Sequence, residues 1–266
     1  MLPIVDFSGL QVSRLILGAN PFGGFSHQNP ERDQAMLSYY SVDRILETWY
    51  LAEEAGINTM ITNNESPNVV DAVKTYLSHG GRLQWIAQVN CLRNPDMLSA
   101  VDEVIKIGCK GIYFHGARVD DAYLRKDADQ LREWCEYVRT AGIPVGVAGH
   151  APEAHLWVDS LDLVDFHAVC FFNCGSLHVG KGDKFDLADI FQATRCIQQI
   201  KKPCIAYKIM GAGRIDPRMS FEYAFSHIKP QDVVNVGMYR GDCEHMVEVN
   251  AGMVREILAE DSVLGR

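Results

Sequence analysis

Two histidines, one lysine and a set of side-chain amides stand where short apolar runs give out. Such residues build acid/base chemistry on a polar substrate. His115 ends the run Ile112-Tyr113-Phe114, and His150 ends Val145-Gly146-Val147-Ala148-Gly149. Imidazole can donate, accept or bind a metal near neutral pH. Each histidine therefore reads either as a proton-transfer group or as a residue satisfying the carbonyls of its own loop. Lys208 follows Tyr207 at the close of Cys204-Ile205-Ala206-Tyr207. A partly desolvated ammonium there can act as a base, form a Schiff base or clamp an anion. The alternative is a stem packed on Tyr207 with its head in water. Asn20, Asn63, Asn64, Gln88, Asn90 and Asn173 hold comparable places, with Phe22, Tyr207 and Tyr239 among them. Amides donate and accept at one site, which suits the hydroxyls of a sugar-like ligand, but they serve loop backbones equally well. His115, His150 and Glu65 together would supply three ligands for a divalent ion. None of them has the short spacing of a zinc motif.

Positioning these groups falls to a repeated unit. A polar amphipathic run stops at glycine or proline and leads into a short apolar run. Ala52-Glu53-Glu54-Ala55-Gly56 precedes Ile57–Thr62, Lys106–Gly111 precedes Ile112–His115, Val138–Gly142 precedes Ile143–Ala148, and Ile197–Pro203 precedes Cys204–Tyr207. Arg14–Gly18, Leu83–Val89, Phe166–Phe172 and Val233–Met238 bring the strands to eight. Near-continuous apolar strands are those of a parallel sheet covered on both faces. Eight even units without a GxGxxG after the first strand predict an α/β fold, a closed (β/α)8 TIM barrel, with its chemistry at the carboxyl ends of the strands. No composition break divides residues 1–266, so a single domain is expected.

Composition narrows the partners. The chain has 47% apolar and 22% charged residues and a net charge of −9. That charge gives no footprint for nucleic acid or an anionic membrane, so a small-molecule substrate is expected. No apolar run reaches the roughly 18 residues that span a bilayer, and Met1–Asp6 lacks a signal peptide's regions. A cytoplasmic location is the expectation; the oligomeric state stays open. Eight cysteines without a CxxC read as reduced core residues, with Cys170 and Cys174 a candidate thiolate pair. His178, Lys181 and Lys184, in and beside the glycine-rich stretch Gly175–Gly182, read as a loop over the site or as a solvated connector.

The ordered segments resemble the aldo-keto reductases. Val12–Gly18 with Phe22-Gly23-Gly24 is similar to that family's opening strand, and Glu54-Ala55-Gly56-Ile57-Asn58 to its approach to strand two. Ile205-Ala206-Tyr207-Lys208 with Gly211 and Gly213 is similar to its strand-seven segment, and Val247-Glu248-Val249-Asn250 to its last helix. The resemblance implies a reductase barrel with an Asp-Tyr-Lys-His tetrad and an NAD(P) cofactor. Here Ile61 stands at the aspartate position, Asn63-Asn64-Glu65-Ser66-Pro67 replaces the tyrosine region, Gln88 takes the lysine position, and His115 alone is retained. Without a positioned acid the family's carbonyl reduction lacks its proton source. Ala148-Gly149 replaces the pair that holds the nicotinamide carboxamide. Tyr207, Arg240 and Asn250 are the residues the resemblance would assign to a dinucleotide.

The leading expectation is acid/base chemistry of lyase, isomerase or hydrolase type on a carbohydrate-like carbonyl compound. His115 is its acid/base, with Lys208 and His150 as partners. An atypical NAD(P)-dependent oxidoreductase and a non-catalytic ligand-binding barrel are the alternatives.

Overall fold

The computed structural model describes residues 1–93, 95–173 and 185–264. The positions named above at 174–184 lie outside the described residues.

All eight expected strands form: β3 (Leu15–Gly18), β4 (Thr59–Asn63), β5 (Gln84–Val89), β6 (Gly111–Phe114), β7 (Val145–Gly149), β8 (Phe166–Cys170), β9 (Cys204–Tyr207) and β10 (Val233–Gly237). They pair in parallel and close in chain order, with β10 returning to β3 through Val234–Leu15 and Gly237–Gly18. Closure removes both sheet edges, which an open sheet of the same strands would leave to be covered.

Ahead of the barrel lies a hairpin absent from the sequence expectations, β1 (Ile4–Phe7) and β2 (Leu10–Ser13). Ser8 and Gly9 turn it with φ of 53° and 86°, the paired positive values of the tight hairpin turns that match strand twist. The hairpin stoppers the amino-terminal end of the barrel. Phe7 is buried against Phe166 with ring centroids 5.2 Å apart, and Ser8 Oγ donates to the Asp165 carbonyl at 2.8 Å. Above it the interior is filled by Ile16, Ile61, Ile86, Ala148, Phe166 and Ile205. With that end covered by the hairpin, the cavity lies at the carboxyl ends of the strands.

Among the described residues ten α-helices surround the barrel. They are α1 (Pro30–Tyr39), α2 (Val42–Glu54), α3 (Pro67–Ser78), α4 (Met97–Ile107), α5 (Gly116–Arg125), α6 (Ala128–Arg139), α7 (Pro152–Leu161), α8 (Asp189–Gln199), α9 (Pro217–His227) and α10 (Met246–Leu264). Proline at the first helical position starts α1, α3, α7 and α9, where its missing N–H costs nothing. The β6–β7 connection carries two helices, α5 and α6, and α5 lies across the mouth of the barrel. Among the described residues no helix is long and apolar enough to cross a membrane.

Candidate active site

The strand ends open into one cavity of about 890 Å³. It is lined by His115, His150, Lys208, Tyr207, Asn20, Asn63, Glu65, Gln88, Asn90, Asn173, Tyr239 and Asn250. Phe22 and Arg240 are not in it. Phe22 is fully buried in the core, 4.6 Å from the Tyr40 ring and 6.0 Å from Trp49, because the short turn Asn20–Gly23 directs it back under α1 and α2. Arg240 is also turned away, its side chain 2% exposed. Its guanidinium pairs with Glu47 at 3.1 Å and with Glu244, and donates to Thr48 Oγ1 at 3.2 Å. Its charge ties α2 to the segment just before α10, and the assignment to a dinucleotide is corrected.

His115 is the cap of α5. Its Nδ1 accepts from the Ala117 amide at 3.2 Å, satisfying a helix-terminal N–H that would otherwise lack a partner. A lone pair on Nδ1 places the proton of the neutral ring on Nε2. Burial, then His150, Arg118 and Lys208 nearby, push its pKa down to about 4. His115 is thus a neutral donor through Nε2–H, not the general base, much as a histidine at a helix amino terminus is held neutral to polarise a carbonyl.

His150 has the arrangement of a base. Its Nδ1 lies 2.7 Å from Asp120 Oδ2, and its own amide donates to the same carboxylate at 3.2 and 3.3 Å. A carboxylate accepts only, so Nδ1 carries the proton and the lone pair is on Nε2. Asp120 comes from α5, 30 residues upstream. The ring packs on Gly116: a Cβ there would meet His150 Cε1 at 2.9 Å, so this glycine is what admits the imidazole beside His115.

Lys208 leaves the end of β9 with φ 55°, a left-handed conformation that disfavours residues with a Cβ. Its Nζ stands 6.0 Å from the Tyr207 ring. The Tyr207 hydroxyl donates across the barrel to the Gly149 carbonyl at 3.4 Å, and burial holds its pKa well above the ordinary value.

Much of the amide rim serves the backbone. Asn63 Oδ1 accepts from the Glu65 and Ser66 amides at 2.8 Å each. Asn64 exchanges two 2.9 Å bonds with the Asn90 main chain. The Glu65 carboxylate is taken by the Leu92 and Arg93 amides at 2.8 and 3.1 Å, which removes it as a metal ligand. Among the described residues no group of three His, Cys, Asp or Glu could hold an ion. Gln88 instead faces inward and donates to the Tyr113 hydroxyl at 3.1 Å.

Among the cavity residues that escaped the strand-end reading are Tyr113, Arg118, Asp120 and Asn235. Arg118 and Asp120 stand on a helix, where no strand-based rule looks. Tyr113 and Asn235 lie inside strands. Asn235 did leave a signal, an amide within Val233-Val234-Asn235-Val236.

No family model matches the chain, and no curated protein matches it in sequence. Two solved structures of proposed aldo-keto reductases from Pseudomonas aeruginosa are similar to it, at 18% and 17% identity and TM-scores of 0.69 and 0.67. Each match covers 96% of this chain and 94% of the other. The barrel is aldo-keto-reductase-like. A truncated 3-deoxy-D-arabino-heptulosonate 7-phosphate synthase from Thermotoga maritima is also similar, at 10% identity and TM-score 0.60, over 99% of this chain and 94% of that one. At these identities the likeness is one of fold, and the chemistry has to be argued from the site.

The dinucleotide that the reductase likeness implies does not fit the residues present. Of the three residues assigned to it, Tyr207 and Asn250 line the cavity, but Arg240, the only cation of the three, is neutralised inside the protein by Glu47 and Glu244. The segment after β9 is joined to the segment before α1, with Gln28 Nε2 donating to the Ala212 carbonyl at 2.7 Å and Arg214 reaching the His27 carbonyl at 3.4 Å.

Proposed function

We propose that this barrel is an enzyme that moves a proton at a carbon next to a carbonyl group in a small polar substrate, without redox chemistry. The observation that carries the reading is the Asp120–His150 pair, 2.7 Å apart and packed beside a neutral His115 and the Lys208 ammonium. A base oriented by a carboxylate, next to donors that meet developing negative charge, is what enolisation requires. In the step proposed, His150 Nε2 takes the proton from the carbon. The C–H electron pair becomes the enolate double bond, and the carbonyl π pair moves to oxygen. His115 Nε2–H and the Lys208 ammonium stabilise that oxyanion. The imidazolium then returns its proton to the same carbon, giving exchange; in an α-hydroxycarbonyl substrate the hydroxyl proton shifts to the oxyanion and the imidazolium proton goes to the former carbonyl carbon, giving isomerisation.

The roles differ from the sequence expectation in one respect. His115 was the acid/base there, and here it is the electrophile while His150 is the base. Proton washout in D2O, followed by proton NMR, tests this without knowledge of the product. A panel of hydroxyketones, aldoses and 2-keto acids is incubated with the protein. Exchange at the α-carbon of at least one member is expected, lost in His150→Ala and lowered by about a hundredfold or more in Asp120→Asn. Exchange with no member, or full exchange in both variants, overturns the reading.

A further inference from the structure

The floor of the cavity holds a side-chain amide oxygen that has no hydrogen-bond partner among the described residues. Asn235 sits in the middle of β10, in register with Ile16 on one side and Tyr207 on the other. Both neighbours face the barrel interior, and parallel partners in register share a face, so the amide faces inward too. It lines the cavity, and its Oδ1 is buried without a hydrogen-bond partner. Room for it is made by Gly18 on β3, where a Cβ would stand 2.8 Å from Asn235 Oδ1.

A buried amide left unsatisfied costs stability, and an aliphatic residue of the same size would remove that cost. The surrounding sequence is already valine on both sides. An amide kept there at a loss, facing a cavity, is accounted for by a ligand group that completes its bonding. We infer that Asn235 is a substrate-recognition residue that reads a hydroxyl group, and that the ligand is polyhydroxylated. A hydroxyl can donate to the amide oxygen and accept from the amide nitrogen, so either orientation of the amide serves. Elsewhere on the floor the Tyr113 hydroxyl, already accepting from Gln88 at 3.1 Å, retains its own proton for a second hydroxyl. The inference rests on the cavity being the substrate site, as proposed above, but not on the reaction.

Thermal denaturation of the whole protein tests it, with no turnover needed. The probes are dihydroxyacetone, D-ribose, D-fructose and myo-inositol at tens of millimolar, with acetone and cyclohexanone as carbonyl controls lacking hydroxyls. The wild type should be stabilised by at least one polyhydroxylated probe and by neither control. Asn235→Leu should raise the ligand-free Tm, by about 2–4 °C for each 1 kcal/mol recovered, and lose the probe-induced shift. Asn235→Val, the smaller residue of the same strand, decides the matter if leucine does not fold. A wild type that no probe stabilises, a Tm lowered in both variants, or a probe shift retained without the amide overturns the inference. Loss of the shift in the variant together with absent deuterium exchange would retain this inference while removing the proposed reaction.

Discussion

His115 closes the first turn of α5 through Nδ1, and that contact decides its chemistry before any substrate is considered. Protonating Nδ1 would break the bond from the Ala117 amide and set a third cation beside Arg118 and Lys208. Both costs act in the same direction as burial. Nitrogen-detected NMR of the histidine rings should therefore find His115 as the Nε2–H tautomer with no titration through neutral pH and a midpoint near 4. A midpoint near 6.5 would show that the cap does not hold. Lys208→Met should move that midpoint upward, because a nearby positive charge disfavours imidazolium. It should stay below 6.5, since burial is the larger cause. An unchanged midpoint would separate Lys208 from His115 and remove it from the oxyanion site. The sequence placed both residues in the cavity, since each ends a strand. It did not show which nitrogen carries a proton, because the deciding contacts, Ala117 N–H for His115 and Asp120 for His150, come from α5 and follow from the helix's direction across the barrel mouth.

The strands hold these groups at their height by what fills the barrel beneath them. Phe166 occupies the interior opposite Gly146, its partner in register, and a Cβ on Gly146 would lie 2.5 Å from the Phe166 ring. Gly146→Ala should therefore destabilise the protein by about 1–3 kcal/mol, as overpacking does. In a double-mutant cycle, Phe166→Leu should recover part of that loss. Additive losses in the urea midpoints would show that the two do not share space. The eight strands were legible because β-branched and apolar runs between glycine and proline stops have few other readings. The β1–β2 hairpin was not, since two four-residue strands leave almost no periodicity to detect. Phe22 and Arg240 were misplaced for a different reason. A strand-end rule fixes where a residue falls along the chain, whereas the direction of its side chain is set by turns such as Asn20–Gly23 and by partners as distant as Glu47. The same limit explains the amide rim, where Asn63 and Asn90 stand in the expected place but spend their oxygens on neighbouring amides.

Over the whole molecule, the histidines that stay neutral in the fold make its stability depend on acid. His155 on α7 is fully buried beside the site. Its Nε2 lies 3.3 Å from the Gly149 carbonyl and its Nδ1 3.1 Å from His167 Nδ1. A carbonyl only accepts, so His155 donates through Nε2 and takes the His167 proton at Nδ1, with both rings neutral. His167 Nε2 lies 3.6 Å from Asp159, too far for a hydrogen bond. Burial and the neighbouring His167 hold the His155 pKa down to about 3, and burial also lowers that of His167. In the unfolded chain both return to about 6.5. Above that value neither state binds the proton and these residues leave stability unchanged. Below it the unfolded chain takes up protons that the fold refuses, and stability falls as pH drops from about 6.5 toward the folded values. Each such histidine removes up to about 1.4 kcal/mol per pH unit. With His115 included, the Tm should be flat from pH 8 to about 7 and decline steeply from about 6 to 5. Proton uptake on unfolding, read from calorimetry in buffers of different ionisation enthalpy, should approach one proton per buried histidine near the acid end of that range. His155→Gln keeps a donor for the Gly149 carbonyl and removes one titrating ring, so it should lower the uptake by about one proton and flatten the decline. An uptake unchanged by His155→Gln would show that the acid sensitivity arises elsewhere, and that the contact beneath the His150 strand end does not depend on keeping a neutral ring there.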